Sequence, residues 1–516
     1  DAGAPARGAS GRRISNLMAN ASFLLKMLLL GIGCAAGQAP LLFWPISLIC
    51  LIGFFYLLRS LPLTGRIAFQ ASGTFGFGYF LATLNWIVEP FLVDIMAHGW
   101  MAPFALLSMA AGMSFIWAVG AVIGHRVYKT ILGLALGIGL AEVARGFLLT
   151  GFPWGLVGYI WSGTPIAQLG AYMGIYGLTL LTVFLCALSI IPTKRRDRII
   201  SMIGALCILA LGWMVGMNRI VHSDLEHGSK IVRLAQPNAS QELKWHPDHS
   251  KIFFERLLSQ TQAHPKPDLV IWPETALPVP FEFAQNLLDK LIETAPGTPV
   301  LLGALRFDGE RYFNSILHLN AQGETVSVYD KHHLVPFGEY LPFEDAMSQL
   351  GLRGFVEFAG TGFARGTGPK VIDIPEIGKV LPLICYEAVF PQDVSGTTSR
   401  PEVMMQLTND AWFGDFSGPQ QHVMMAQMRS IEQGVSLLRV ANTGITGLID
   451  PFGRFTERLP LNVAGYIDVT VPKALSPTLY SLLGMWIVAF MGLIFNIICI
   501  FCSFSARRVD GTKEYG

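Results

Sequence analysis

Long apolar blocks constrain this chain more than any other feature. Seven of them, at about 20–37, 41–58, 67–88, 101–124, 130–150, 165–191 and 199–217, are followed by a water-compatible stretch, 229–476, and then by an eighth block at 477–502. A helix that crosses a bilayer needs roughly 20 mostly apolar residues, so the pattern predicts eight spans. The 516 residues are 52% hydrophobic and only 14% charged, with a mean hydropathy of +0.47, too apolar for an ordinary soluble enzyme. The first block is short, contains Lys26 and lacks a small-residue cleavage pattern, so it does not read as a removed signal peptide. Residues 1–19 read as a leader or tag remnant, with Met18 a possible natural start, and 503–516 as a tail.

Basic residues orient the spans. Arg12 and Arg13 precede the first block, Arg59 and Arg66 lie between the second and third, and Arg126 and Lys129 between the fourth and fifth. Lys194, Arg195, Arg196 and Arg198 separate the sixth and seventh, and Arg507 and Arg508 follow the eighth. The alternate loops, Gln38–Pro40, Glu89–Trp100 and Gly151–Thr164, hold no Lys or Arg. Both termini are therefore expected in the cytoplasm, with bundle 20–228 and span 477–502 placing domain 229–476 outside. A net charge of +1 gives no sign of a nucleic-acid partner. Glu142 and Arg145, three residues apart, fit an ion pair on one helix face or a hold on a lipid headgroup.

Within 229–476 the pattern changes to short β-like runs: 231–236, 269–272, 300–305, 315–319, 327–331, 379–385, 404–408, 436–441 and 447–449. Helical patterns occur at about 248–263, 281–294 and 419–432. Alternating strands and helices imply layered α/β architecture with buried sheets. The Gly-rich run 360–368 is a loop; with no strand before it and no Lys-Ser/Thr, it is not a phosphate cradle.

Cys385 is the only cysteine of this domain, so it has no internal disulfide partner there. Free cysteines are often small buried hydrophobes, and its neighbours decide between that and chemistry. Three strand ends carry reactive side chains: Trp272-Pro273-Glu274, Asp330-Lys331-His332-His333-Leu334-Val335-Pro336-Phe337-Gly338-Glu339-Tyr340, and Ile384-Cys385-Tyr386-Glu387. A carboxylate to take a thiol proton, an ammonium to stabilise thiolate and oxyanion, and a thiol together make an acyl-transfer site. His332, His333 and His422 lack metal-ligand spacing, and no metal or cofactor is expected.

These motifs, in this order, resemble the nitrilase or carbon–nitrogen hydrolase superfamily. The resemblance implies a four-layer αββα sandwich with Glu274, Lys331 and Cys385 as a catalytic triad. It also implies Glu339 as a second acid and the Tyr386 N–H as an oxyanion donor. Glu387 is expected to brace the loop behind the nucleophile, and Asn409-Asp410-Ala411-Trp412-Phe413 is similar to a family segment. Trp245 falls where the family has a substrate-contacting aromatic, although a packed surface Trp fits equally. The apolar loop 337–363, with Tyr340 and Phe343, reads as a lipid-touching lid or a plain packed loop.

With membrane spans on both sides, the whole chain resembles the apolipoprotein N-acyltransferases of bacterial lipoprotein maturation. That resemblance implies a catalytic domain facing the periplasm from the inner membrane. A phospholipid, typically phosphatidylethanolamine, would acylate Cys385 through its sn-1 ester. The thioester would then pass the chain to the α-amino group of a diacylglyceryl-cysteine apolipoprotein. The rival readings are a membrane-anchored amidase with the same triad and a non-catalytic membrane scaffold, whose mark would be a replaced triad residue.

Overall fold

The computed structural model describes residues 7–192, 194–221, 224–342 and 362–511, with side chains from 21 to 504 within those ranges. Helices Arg7–Cys34, Trp44–Arg59, Gly65–Thr83, Ala102–Tyr128, Ile131–Arg145, Gly170–Leu188, Arg195–Val221 and Met485–Gly511 fall on the eight apolar blocks. Among the described residues, four stretches are long and apolar enough to cross a membrane: Ile95–Tyr128, Pro165–Leu188, Arg195–Val221 and Met485–Phe504. Ala21–Gly37 and Trp44–Arg59 are apolar but shorter. The expectation of eight spans is thus met for four by length and hydropathy together. The third block gives way at Leu84 to the 3-10 helix Asn85–Leu92, and the fifth ends at Arg145 after 15 residues. Helices 195–221 and 485–504 leave large apolar side chains such as Leu206, Leu211, Met214, Phe490 and Phe501 exposed. A contiguous apolar surface of that kind marks contact with lipid or another protein.

Helices Ala102–Tyr128 and Ile131–Arg145 approach through glycines. A Cβ on Gly137 would sit 2.0 Å from the Gly120 carbonyl oxygen, so only small residues permit this crossing. Glu142 and Arg145 are fully buried and paired at 2.5 Å. Glu142 also accepts from Trp117 Nε1 at 2.7 Å and Val157 N at 3.1 Å, while Arg145 donates to the Phe152 and Trp154 carbonyls. The pair therefore secures loop 151–161 and is closed to a lipid headgroup.

Among the described residues, the polar stretch folds into twelve strands in two sheets. One has the order β12-β1-β2-β3-β4-β5, with β1 His227–Gln236, β2 Leu269–Ile271, β3 Val300–Phe307, β4 Tyr312–Leu319, β5 Thr325–Asp330 and β12 Gly465–Pro472. The other has the order β11-β10-β9-β8-β7-β6, with β6 Ile372–Ile374, β7 Gly378–Ile384, β8 Val403–Thr408, β9 Ser436–Ala441, β10 Thr446–Ile449 and β11 Phe455–Leu459. Val232, Leu234, Ile271 and Leu301 from the first sheet meet Val380, Met405, Leu438 and Val440 from the second in one core. Helices Pro247–Gln262 and Gln285–Thr294 cover the first sheet through Phe254, Leu257, Leu288 and Leu291. Helix Gly418–Gln433 covers the second, where Ala426 packs with Leu381, Met404 and Leu437. The result is a four-layer αββα sandwich. The nine expected strands are present, and β6, β11 and β12 are additional.

The sandwich and the helical half share a continuous core in which Tyr386, Phe390, Met424 and Met428 join Trp154, Ala171 and Tyr176. Gly174, at φ 64°, breaks the start of helix Gly170–Leu188, and Tyr480 occupies the space where a Cβ would go. The N–H of Ile175, freed by that break, donates to Glu432 Oε1 at 2.8 Å. Gln421 reaches Trp154 Nε1 and the Ala39 and Thr83 carbonyls. Of these, Ala39 and Trp154 lie in loops Gln38–Pro40 and Gly151–Thr164, which hold no Lys or Arg, and Thr83, Ala171, Gly174, Ile175 and Tyr176 lie in apolar blocks.

Candidate active site

Cys385 follows the last residue of β7 and opens the 3-10 helix Cys385–Val389, at φ 51°. A non-glycine residue in this left-handed region stores strain of about 1–3 kcal/mol and persists only where its surroundings enforce it. Glu387 supplies part of that enforcement. It is fully buried; one oxygen accepts from Ile384 N at 2.7 Å and Tyr329 Oη at 3.0 Å, the other from His332 N at 2.7 Å and His333 N at 3.3 Å. A single carboxylate thus ties the cysteine corner to the segment that follows β5.

That segment begins with Lys331, which is 1% exposed. Its Nζ donates to Glu339 Oε1 at 2.8 Å and lies 3.7 Å from Glu274 Oε1. Burial works against the ammonium, but Glu339, then Glu274 and Cys385, outweigh it and hold its pKa above the ordinary lysine value. Glu274 lies just past β2, where Asn314 Nδ2 donates to Oε1 at 2.7 Å and Asn409 N to Oε2 at 2.7 Å. Asn314 also reaches Glu339 at 3.2 Å. Each oxygen of Glu274 thus has a donor, which fixes the carboxylate plane. Burial, then the Glu274 charge, push the Cys385 thiol pKa up, and Lys331 only partly opposes them. The resting sulfur is a protonated thiol, and it needs a base.

The other expected site residues are placed differently. The Tyr386 side chain turns away from the carboxylates: its hydroxyl donates to the Gly151 carbonyl at 3.3 Å, and its ring packs edge-on to Phe390. Trp245 is half-buried and shares a cleft of about 320 Å³ with Glu274, Lys244, Phe253 and Pro278, a cleft that Cys385 does not line. Tyr340 is half-buried beneath the Arg365 guanidinium, 4.9 Å from its ring centroid. Phe343 and most of the expected lid, 343–361, lie outside the described residues.

Several residues escaped the sequence reading. Lys244 is buried; it donates to the Glu274 carbonyl at 3.2 Å and to Thr275 Oγ1, and burial lowers its pKa to about 8. His332, His333 and Asp393 bring three possible ligand atoms within 4.8 Å of one another, despite their unpromising spacing. Each ring nitrogen faces an acceptor. His333 lies 2.8 Å from Asp393 Oδ2 and 3.1 Å from the Thr150 carbonyl, and His332 lies 2.6 Å from Glu387 and 3.4 Å from Asp393. Burial opposes charge on His332, but hydrogen bonds to Asp393 and Glu387 raise its pKa to about 9. In its cationic form His332 donates to these carboxylates.

Comparison with known proteins locates both halves. A family model described as apolipoprotein N-acyltransferase N-terminal domain matches residues 30–188, and one described as carbon–nitrogen hydrolase matches 232–478. The apolipoprotein N-acyltransferase of Brucella melitensis is 36% identical over 442 residues, covering 81% of this chain and 82% of the relative. That of Rhodopseudomonas palustris is 36% identical over 445 residues, with 81% and 82% covered. Among solved structures, an amidase from Nesterenkonia sp. is 18% identical, with 48% of this chain and 93% of that chain covered at a TM-score of 0.35.

Proposed function

This chain belongs to the apolipoprotein N-acyltransferase family, and from that premise we propose that it moves a phospholipid acyl chain to lipoprotein N-termini through a thioester on Cys385. The observation that carries the reading is the buried cluster of Glu274, Lys331 and Glu339 acting on a strained cysteine. Glu274 takes the thiol proton as sulfur attacks the sn-1 ester carbonyl. Lys331, whose proton is held tightly, stabilises the oxyanion without giving that proton up. Glu274 then protonates the departing lysophospholipid alkoxide, leaving the thioester. In the second half-reaction the α-amino group of a diacylglyceryl-cysteine attacks the thioester carbonyl. Glu274 takes the proton released by the amine, the thiolate leaves, and the thiol is restored. Glu339 holds Lys331 at 2.8 Å, so the lysine does not close onto Glu274 and quench its basicity.

Two half-reactions predict ping-pong kinetics. A thioester that waits for a second substrate must be shielded from water, and a 6% exposed Cys385 suits that. Both substrates carry acyl chains in the bilayer, and extracting a chain would forfeit about 0.8 kcal/mol per CH₂. Eight spans, with the basic loops inside and the sandwich on the periplasmic face of the inner membrane, fit the contacts made by the loops that lack Lys and Arg. Phosphatidylethanolamine is the expected donor.

Intact-mass analysis of protein extracted gently from membranes tests this. We expect an acyl adduct that maps to Cys385, is lost in Cys385→Ser and is discharged by an N-terminal diacylglyceryl-cysteine peptide. Wild-type activity in Cys385→Ser, or ammonia release from small amides without any acyl adduct, would overturn it.

A further inference from the structure

The peptide plane that follows Cys385 is clamped from behind. The Cys385 carbonyl oxygen accepts from Gln406 Nε2 at 2.9 Å and lies 3.1 Å from His422 Nε2. Gln406 Nε2 is also 3.0 Å from His422 Nε2, and its Oε1 accepts from Arg439. His422 Nδ1 lies 2.9 Å from Asp410 Oδ1, which also accepts from the Thr408 hydroxyl at 2.9 Å. Asp410 Oδ2 accepts from Arg439 Nη2 at 2.5 Å. Gln406, Asp410, His422 and Arg439 are all at most 1% exposed.

One protonation pattern gives every hydrogen of the relay an acceptor, at the cost of a 3.1 Å approach between the His422 Nε2 lone pair and the Cys385 carbonyl oxygen. Burial opposes ionisation of Asp410, but Arg439 and then His422 hold it well below the usual carboxylate range, so it accepts from His422 Nδ1–H. Burial, then the Arg439 charge, lower the pKa of His422 and keep it neutral, which leaves Nε2 as a lone pair. One Gln406 amide hydrogen goes to that lone pair and the other to the Cys385 carbonyl. Arg439, on Oε1, prevents the amide from flipping.

We infer that Gln406, His422, Asp410 and Arg439 are positioning residues that aim the Tyr386 N–H at the oxyanion formed on the acyl carbonyl. In a trans peptide the C=O and the following N–H point in opposite directions. Pinning the Cys385 carbonyl to the relay therefore directs the Tyr386 N–H to the other face. Tyr386 lies in the first turn of its 3-10 helix, where N–H groups have no intrahelical acceptor. The clamp is needed because Cys385 occupies a sparsely populated backbone region, from which an unpinned plane would relax. The inference rests on the acyl-transfer reading above, and its test separates the two.

The full chain in phosphatidylethanolamine vesicles is assayed twice: for single-turnover acylation of Cys385, and for its alkylation by iodoacetamide, a reaction that forms no oxyanion. In Gln406→Met and His422→Phe, acylation is expected to fall about 10²-fold while alkylation stays within about twofold. His422→Gln, which carries both an acceptor and a donor, recovers part of the acylation rate. Acylation and alkylation falling together, wild-type acylation in the variants, or no recovery in His422→Gln would each overturn the inference. If His422→Phe is not recovered folded, Gln406→Met and His422→Gln carry the comparison. A wild-type protein that alkylates but never acylates overturns the acyl-transfer reading itself, and this inference with it.

Discussion

Two buried ion pairs in this protein do opposite work. Glu142 and Arg145, in the helical half, meet at 2.5 Å and also bond Trp117, Val157 and two carbonyls of loop 151–161. Glu274 and Lys331, in the sandwich, are held 3.7 Å apart because Glu339 captures the lysine first. Burial of charge is common to both, so burial alone does not mark a reactive site. What differs is closure: the first pair is collapsed and fastens a loop, whereas the second stays open at 3.7 Å, as the proposed proton transfer to Glu274 requires.

This contrast makes predictions of unequal size. Disrupting the open pair should hit chemistry hardest. Glu274→Gln is expected to lower the rate of acyl-enzyme formation by about 10²–10⁴-fold with thermal stability near wild type, since Lys331 keeps Glu339, and Lys331→Met to lower that rate by about 10²–10³-fold, as measured by single-turnover mass spectrometry alongside a melting curve. Equal losses of rate and stability would erase the distinction. Disrupting the closed pair should do the reverse. Glu142→Gln or Arg145→Met leaves a buried charge without its partner and is expected to destabilise by about 3–5 kcal/mol. The fraction that folds, counted by Cys385 titration, should acylate at the wild-type rate per site.

The smallest effect concerns His332, whose folded pKa of about 9 lies above the ordinary 6.5. A raised pKa adds stability that is complete below pH 6.5 and is lost as pH rises through 9, worth at most about 3 kcal/mol. The melting temperature of the wild type should therefore drop more between pH 7 and pH 10 than that of His332→Gln. Parallel curves would show that His332 carries no such charge.

The proposed triad residues stood out as candidates in the sequence because each lies just past a strand, and the run from Lys331 to Glu339 keeps its partners within eight residues. The fold was legible wherever strands are uniformly buried, as in β7, β8 and β9. β11 was missed because its side chains are largely exposed and polar. β12 did carry a signal, the alternation of Ile467, Val469 and Val471 with polar neighbours, that a period-two count would have found. Asn314 left no local trace: its partners Glu274 and Glu339 are 40 and 25 positions away. His422 is equally silent, since a buried histidine on an apolar helix face looks the same whether it packs or relays. Among the described residues, four of the eight expected spans meet length and hydropathy together; blocks broken by Gly, Ser and Thr, such as 65–83, satisfy a composition window with less hydropathy.

β1 and β12 lie side by side as an antiparallel pair, from His227 opposite Pro472 onward, and Lys473 clasps Glu226 just outside them. The chain thus enters and leaves the sandwich through one doorway. Adjoining ends alone would suit a separable module, but the core shared through Tyr386, Phe390, Met424 and Met428 ties this one to the helical half. A tilt of helix 195–221 would reach the sandwich at that doorway and again at Phe452, where the Arg219 guanidinium lies 4.9 Å from the ring centroid.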